Sequence, residues 1–167
     1  VRSQCYRVFV TVISPNLISD LGLDTSGLSL ISAAFFYAFA LMQIPVALYL
    51  DSIGPRISMT MLTLVAVAGS LIFATGESLS MMVIGRVLMG IGMACNLMGT
   101  LKLITLWFGP LRFGTLSAMV LSFGTLGNIL ATTPLVLVVT MIGWRTTFLI
   151  LAGLDLILAL LFFFIVR

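Results

Sequence analysis

A charged tight turn between two long apolar runs places the strongest constraint on the fold of this chain. The turn is Asp51-Ser52-Ile53-Gly54-Pro55-Arg56. Asp51 and Arg56 would each cost about 2.5–3.5 kcal/mol at the centre of a membrane-spanning helix. The turn is therefore predicted to lie at a membrane surface, held between two helices that cross the bilayer.

Composition places the chain among integral membrane proteins. It is 61% hydrophobic and 8% charged, whereas soluble domains carry about 25% charged residues. A water-soluble protein of this size could not cover so much apolar surface. There is no histidine, and Cys5 and Cys95 are far apart, so we predict no metal site, disulfide framework or cofactor. The net charge of +3 is too small and scattered for nucleic acid, and no nucleophile–base constellation indicates an enzyme.

Six apolar runs predict an all-α, polytopic membrane protein with six spanning helices. The predicted helices cover residues 5–18, 28–50, 57–75, 79–106, 115–140 and 146–166 of a single bundle over residues 1–167. The first is short, and because residue 1 is Val we expect a preceding stretch that holds its start. Six helices can be two three-helix units in opposite orientations. The internal hint of this 3+3 repeat is that Leu28-Ser29 and Leu116-Ser117 each follow a glycine-containing turn.

Basic residues decide the predicted orientation, because cytoplasmic loops carry an excess of Lys and Arg. With the N-terminus in the cytoplasm, the inner side holds Arg2, Arg56, Arg112 and Arg167, with Lys102 close to it. The outer loops then hold Asp20, Asp24 and Glu77, with Arg145 as the outer basic residue. The reverse topology inverts this ratio. We therefore expect a cytoplasmic N-terminus in the inner membrane, with Trp107 and Trp144 in the interfacial belts of opposite faces.

Four short motifs lie in the order and at the helix boundaries of the major facilitator superfamily. Asp51, Gly54 and Arg56 match part of its signature for the loop between the second and third helices, although Pro55 replaces an arginine. The other motifs are Gly85-Arg86-Val87-Leu88-Met89-Gly90-Ile91-Gly92-Met93-Ala94, Trp107-Phe108-Gly109-Pro110-Leu111-Arg112-Phe113 and Gly143-Trp144-Arg145. On these residues the chain resembles the amino-terminal half of a major facilitator transporter. Tyr6-Arg7-Val8 with Pro15, and Phe36-Tyr37-Ala38 through Gln43-Ile44-Pro45, are similar to bacterial organic-anion and sugar-acid carriers.

The resemblance implies secondary active transport of a small solute by alternating access. Such transporters have twelve helices in two halves with the substrate between them, so the expected partners are a small organic anion, a coupling proton, the lipid bilayer and a missing carboxy-terminal half. The alternative is a half-size membrane module that assembles with partner helices without transporting by itself.

Arg7 is the residue that we most expect to bind such a solute. On a helix it shares a face with Thr11 and Ser14, and a polar stripe of this kind faces a water-filled cavity or neighbouring helices. The alternative is that Arg7 lies near the inner surface and extends into the headgroups.

Charged residues deeper in the helices each have two interpretations. Arg86 either binds a substrate anion or coupling proton, or hydrogen-bonds carbonyls of adjacent helices. Lys102 lies about 160° around the same helix and is expected to extend toward the inner surface, with a cavity role second. Asp155, at the middle of the sixth helix, is the candidate for proton coupling, and the alternative is a protonated carboxyl bonded to a neighbouring helix.

Uncharged polar residues and the charged turn complete the predicted site. Tyr37, Gln43, Asn96 and Asn128 lie inside helices, where they either bind substrate or hydrogen-bond across helix interfaces. Asp51, Gly54 and Arg56 are predicted to form a gating loop, which holds its neighbours in one conformational state without touching the substrate.

Overall fold

The computed structural model describes residues 2–22 and 24–165, with the side chains of residues 10–20, 22, 24–127, 129 and 135–165. Regular structure in this part of the chain is entirely helical, which confirms the all-α prediction there. The helices are α1 (Arg2–Leu21), α2 (Thr25–Leu41), α3 (Gln43–Ser52), α4 (Pro55–Thr75), α5 (Leu79–Met93), α6 (Cys95–Ile142) and α7 (Trp144–Ile165).

The first helix is longer than the predicted residues 5–18 and accommodates a proline in its interior. Pro15 has no amide hydrogen to donate to the carbonyl of Thr11. The Ser14 hydroxyl donates to that carbonyl instead, at 3.0 Å. A side chain therefore replaces the missing backbone bond, and α1 continues to Leu21.

The second predicted helix, residues 28–50, is a bent pair in the structure. α2 and α3 meet at Met42 and are bent by 42°. Pro45 accounts for the bend, because a proline inside a helix offers no donor to the carbonyl four residues earlier and crowds it. That carbonyl belongs to Leu41, the last residue of α2.

The fourth and fifth predicted helices correspond to α5 and α6 with different boundaries. A turn at Ala94 separates α5 from α6. Within α6, Gly109 has a non-helical backbone, with φ 70° and ψ 178°. It divides α6 into a first segment, residues 95–108, and a second segment, residues 110–142. The predicted helix start at residue 115 is five residues late, because Pro110 is compatible with the first turn of a helix.

Contacts between distant residues define two opposite ends of the bundle. The Asp51 end comprises Asp51, Arg56, Lys102 and Phe163. The Asp20 end comprises Asp20, Gly76, Trp144 and Arg145. The chain runs from the Asp20 end to the Asp51 end along α2 and α3, and returns along α4. It goes back through α5 and the first segment of α6, returns along the second segment, and finishes along α7.

Glycines allow the central helices to pack closely. A Cβ atom at Gly85 would lie 2.8 Å from the carbonyl oxygen of Gly69 on α4, and one at Gly90 would lie 2.5 Å from that of Phe35 on α2. α5 therefore packs directly against both α4 and α2. α7 packs on α4, and α1 packs against α6.

Several helical stretches are long and apolar enough to cross a membrane. Among the described residues these are Pro55–Thr75, Leu79–Gly127 and Trp144–Ile165, with α2 and α3 together as a fourth if the bent pair is one span. The chain is therefore a multi-pass membrane protein. As one straight helix the 49 residues of Leu79–Gly127 would measure about 74 Å, against a hydrocarbon core of about 30 Å. The count of six spans and the 3+3 arrangement remain predictions.

Candidate functional site

The predicted gating loop is a tight connection whose acidic residue contacts a distant helix. Lys102 Nζ donates to Asp51 Oδ1 at 2.6 Å and to the carbonyl of Leu50 at 2.5 Å. The Asp51 side chain is 77% exposed, so we expect the ion pair to contribute only about 0–1 kcal/mol. Its consequence is geometric, because it ties the end of α3 to the first segment of α6.

The basic residue of the same loop contacts a different helix. Arg56 Nε donates to the carbonyl of Phe163 at 2.9 Å, and its guanidinium lies 4.5 Å from the centre of the Phe163 ring. Nearby, Ser58 Oγ donates to the carbonyl of Tyr49 at 3.2 Å. The loop therefore joins α3, α4, α6 and α7 at the Asp51 end.

Lys102 lies at the Asp51 end of the bundle, where its amine binds protein atoms. We expected its amine to extend toward the inner surface, and no partner was predicted for it. In the structure the amine is bound to Asp51 and to a helix-terminal carbonyl. Sequence spacing could not show this, because Asp51 and Lys102 come together only when α3 and α6 pack side by side.

Arg86 lies in the interior of the bundle, only 1% exposed, among three aromatic rings. Its guanidinium carbon is 4.9 Å from the ring centre of Phe73, 5.8 Å from that of Phe35 and 5.9 Å from that of Phe148. These rings come from α4, α2 and α7. Cation–π contacts of this kind stabilise a buried guanidinium by about 2 kcal/mol or more when water is excluded. Arg86 therefore links four helices.

Asp155 is also buried, on the face of α7 that packs against α4. It is 2% exposed and lies in register with the buried residues Phe148, Ala152 and Ala159. A carboxyl at this position is enclosed between two helices of the bundle. Both of its interpretations, proton coupling and a structural hydrogen bond, remain open.

The predicted substrate ligands are distributed over different surfaces. Tyr37 is 71% exposed whereas Arg86 is fully buried, so the two do not line one pocket. Gln43 and Asn96 are half-buried, and the Asn96 amide contacts Met93 Sδ at 3.0 Å. The side chains of Arg7 and Asn128 lie outside the described residues.

Two of these predicted ligands, Gln43 and Asn96, lie at a similar depth in the bundle. Gly90 contacts α2 near Ala38, and Lys102 contacts the end of α3 at Leu50. Along the chain, Gln43 lies about midway between Ala38 and Leu50, and Asn96 lies midway between Gly90 and Lys102. The two residues are therefore at similar depth in the bundle.

A polar contact at the Asp20 end was missed by sequence reasoning. Trp144 Nε1 donates to Asp20 Oδ2 at 2.8 Å, which ties the end of α1 to the start of α7. Trp144 is buried and packs edge-on against the Phe73 ring. Trp107 and Trp144 were predicted as belt residues at opposite interfaces, and in the structure Trp107 is exposed whereas Trp144 is buried at the Asp20 end. The Gly-Trp-Arg motif marked the position but not its partner.

An apolar groove of about 290 Å³ lies between α3 and α4. Its lining consists of Met42, Val46, Tyr49, Ile53, Ile57, Ser58, Met61, Leu62 and Val65. None of the predicted substrate ligands is among these residues. The groove is therefore not the predicted anion site.

Comparison with known proteins places this sequence in a family. The sequence profile of the Major Facilitator Superfamily matches residues 3–167. A probable sulfoacetate transporter of Cupriavidus necator is 28% identical over 158 residues, which cover 95% of this chain and 37% of that protein. A nitrate/nitrite transporter of a Picosynechococcus strain is 32% identical over 112 residues, covering 67% of this chain and 21% of that protein.

A further relative has no named substrate. An uncharacterized transporter of Bacillus subtilis is 26% identical over 160 residues, covering 93% of this chain and 36% of that protein. The chain therefore spans 21–37% of the length of these three proteins. The profile match over nearly all of its residues shows that the chain belongs to the Major Facilitator Superfamily.

Proposed function

We propose that this chain is the amino-terminal half of a secondary transporter that carries a small anion across the cytoplasmic membrane by alternating access. The observation that carries the proposal is the superfamily match over residues 3–167. Relatives named as transporters favour a transport role over an enzymatic one. A second half would complete the substrate path, because a site between two bundles must open to each side in turn.

Three helix pairings support a six-span, 3+3 arrangement, whereas in the described part of the chain the extensive packing of α4 on α5 has no equally extensive counterpart between α7 and α1. α1 packs against α6, and Val139 of its second segment shares a core cluster with Ile13 of α1. α2 packs against α5, and α4 against α7. When spans are numbered one to six, these pairs are one with five, two with four, and three with six. A two-fold axis that relates the first three spans to the last three exchanges the first two pairs and maps the third onto itself.

Charge at the two ends supports a cytoplasmic Asp51 end. The described side chains there are mainly basic, namely Arg56, Lys102 and Arg112 with Asp51, whereas the other end carries Asp20, Asp24 and Glu77 with Arg145. We expect reporter fusions after Arg56 and Arg167 to be cytoplasmic, and one after Glu77 to be periplasmic, because basic loops are retained inside. A periplasmic reporter after Arg56 would reverse the topology.

The proposed substrate is an oxyanion of the organic-acid type, bound through Arg7. The two relatives with named substrates carry sulfoacetate and nitrate or nitrite, all of which are anions. In α1, residue 7 is in register with Thr11 and Ser14, of which Thr11 is exposed and Ser14 half-buried. A guanidinium binds a carboxylate or sulfonate through two parallel hydrogen bonds, which a lysine amine cannot reproduce.

Arg7→Lys in the full-length protein is therefore expected to weaken substrate affinity about tenfold, as for the loss of one charge-assisted hydrogen bond. Affinity is measured by binding to purified protein across a panel of carboxylates, sulfonates and nitrate. Arg112→Lys is the matched control, because Arg112 is exposed in the first turn of the second segment of α6. This variant should leave affinity unchanged. Unchanged affinity in Arg7→Lys would remove Arg7 from the site.

Uptake into vesicles by the same full-length protein tests transport itself. We expect at least one anion of the panel to accumulate. Binding without any uptake would favour the alternative, a membrane module that assembles with partner helices and does not transport by itself.

Asp51→Asn is expected to lower transport rate about two- to fivefold and leave substrate affinity unchanged. The Asp51–Lys102 pair lies at one end of the bundle, and an exposed ion pair contributes at most about 1 kcal/mol. Lys102→Met should reproduce the effect, whereas Glu77→Gln, exposed at the opposite end, should not. Equal losses of affinity and rate in Asp51→Asn would count against a gating role.

Asp155 is the proposed site for a coupling proton. The position of Asp155 supports this assignment, because its buried carboxyl is enclosed between α4 and α7. The helix that carries it, α7, is long and apolar enough to cross a membrane. A proton gradient should therefore drive uptake by the native protein, and Asp155→Asn should abolish that drive while permitting exchange of substrate. Retention of proton-driven uptake in Asp155→Asn would leave Asp155 its structural interpretation.

A further inference from the structure

We propose that Arg56 and Arg145 are equivalent clasps that fasten α4 to α7 at opposite ends of the bundle. Each is the third residue of a Gly-x-Arg sequence whose glycine directly precedes the helix, Gly54-Pro55-Arg56 at the start of α4 and Gly143-Trp144-Arg145 at the start of α7. In this proposal both arginines are positioning residues. They keep two helices together at both ends and do not contact the solute.

The two turns have the same backbone conformation. Gly54 has φ 90° and ψ 162°, and Gly143 has φ 81° and ψ 156°. This region is accessible essentially only to glycine, and other residues adopt it at a cost of about 1–3 kcal/mol. Leu28 and Leu116 are the pair that hints at an internal repeat in the sequence. Gly54 and Gly143 are separated by one residue more than that pair. Gly109 shares this conformation, so it is the Gly-x-Arg sequence and the spacing that relate the two turns as copies.

The arginine contacts are reciprocal. Arg56, at the start of α4, donates to the carbonyl of Phe163 near the end of α7, at 2.9 Å. Arg145, at the start of α7, donates through Nη2 to the carbonyl of Gly76 at the end of α4, at 3.4 Å. Each guanidinium also lies over an aromatic ring, Arg56 over Phe163 at 4.5 Å and Arg145 over Trp144 at 5.1 Å.

Helix geometry explains why an arginine suits both positions. A backbone carbonyl oxygen has two lone pairs, so it can accept from a guanidinium in addition to any backbone amide. α4 and α7 run in opposite directions, so the start of each lies beside the end of the other. An arginine in the first turn of one helix can therefore reach a backbone carbonyl near the end of its neighbour.

The clasps would give the α4–α7 pair one fixed geometry while the proposed substrate path opens and closes. That functional consequence rests on the proposed function, whereas the clasps themselves do not. Hydrogen–deuterium exchange on the full-length protein tests them without any transport measurement. The variants are Arg56→Ala, Arg145→Ala and Arg112→Ala, the last an exposed arginine at the Asp51 end.

Exchange should rise only at the end where the clasp is removed. We expect Arg56→Ala to raise amide exchange about tenfold in residues 160–165. Arg145→Ala should raise exchange about threefold in residues 72–76, because its hydrogen bond is longer. Arg112→Ala should change neither segment. Arg56→Lys and Arg145→Lys, which keep a cationic donor, should restore at least part of the protection.

Several results would overturn the proposal. Unchanged exchange in both alanine variants would show that the contacts fasten nothing. A rise spread over the whole chain would indicate general destabilisation. Lysine variants as unprotected as alanine would show that a cationic donor is not what protects the helix ends. If Arg56→Ala does not fold, the lysine and glutamine variants at both positions provide the same comparison of the two ends. Failure of anion transport with end-specific exchange would reject the proposed function and retain the clasps.

Discussion

Arg86→Gln is expected to lower the stability of the folded protein by about 2–4 kcal/mol. The melting temperature should fall accordingly, because the shift is the lost free energy divided by the entropy of unfolding. The physical reason is that the guanidinium lies among the rings of Phe35, Phe73 and Phe148. A neutral amide has no full charge to interact with the ring faces, so four helices would lose a common contact.

The measurement is the melting temperature of the purified full-length protein, followed together with substrate affinity. Arg112→Gln is the matched control, since it removes the same charge from an exposed position and should shift melting by less than about 2 °C. Phe73→Leu should be non-additive with Arg86→Gln, because the two changes remove the same contact. Normal melting with lost affinity would instead make Arg86 a substrate ligand, the other interpretation drawn from the sequence.

The second large effect is expected from Gly92→Ala, which adds one methyl group to α5. Gly92 on α5 lies against α4, where a Cβ atom would come within 2.5 Å of Ala66 Cβ and Ala66 N and would also meet the carbonyl of Leu62. Backbone atoms cannot move aside as a flexible side chain would. Gly92→Ala must therefore push α4 and α5 apart, at a cost of about 1–3 kcal/mol or more.

Gly153→Ala on α7 provides the control, because a Cβ atom there would meet nothing within 4 Å. Alanine is favoured over glycine inside a helix by about 0.5–1 kcal/mol, so this variant should be neutral or slightly stabilised. Melting temperature and the yield of folded protein distinguish the two. Equal stability of Gly92→Ala and Gly153→Ala would contradict the close packing of α4 on α5.

The helical fold of the described residues and the location of the charged loop were predictable from the sequence. Long apolar runs exclude a soluble fold, and Asp51 with Arg56 cannot lie in hydrocarbon. The third predicted helix, residues 57–75, ends where α4 ends. The bend at Met42 was not predicted, although Pro45 was visible. The break at Gly109 was predicted, but as a loop over residues 107–114 and not as one non-helical residue before Pro110. Proline marks where backbone hydrogen bonding is interrupted, but whether the helix ends or bends depends on its neighbours.

The partners of the charged side chains could not be predicted. Arg86 was correctly recognised as too deep for the surface, but its three rings come from α2, α4 and α7. Lys102 was expected to extend toward the inner surface and binds Asp51, and Trp144 was expected in an interfacial belt and donates to Asp20. These pairs are far apart in the chain. Periodicity identifies which face of a helix is polar, and it contains no information about which helix lies opposite.

The sequence by itself determined the class of this protein, because the cost of placing charge in hydrocarbon and of exposing apolar surface to water depends on residue type and not on neighbours. It also determined the chain reversals at Gly54 and Gly143, where only glycine adopts the required backbone conformation at low cost. Only the tertiary structure decided that Arg56 and Arg145 meet the ends of α7 and α4, and that Arg86 lies among aromatic rings. Directional contacts of this kind depend on distance and orientation, which arise when antiparallel helices pack side by side.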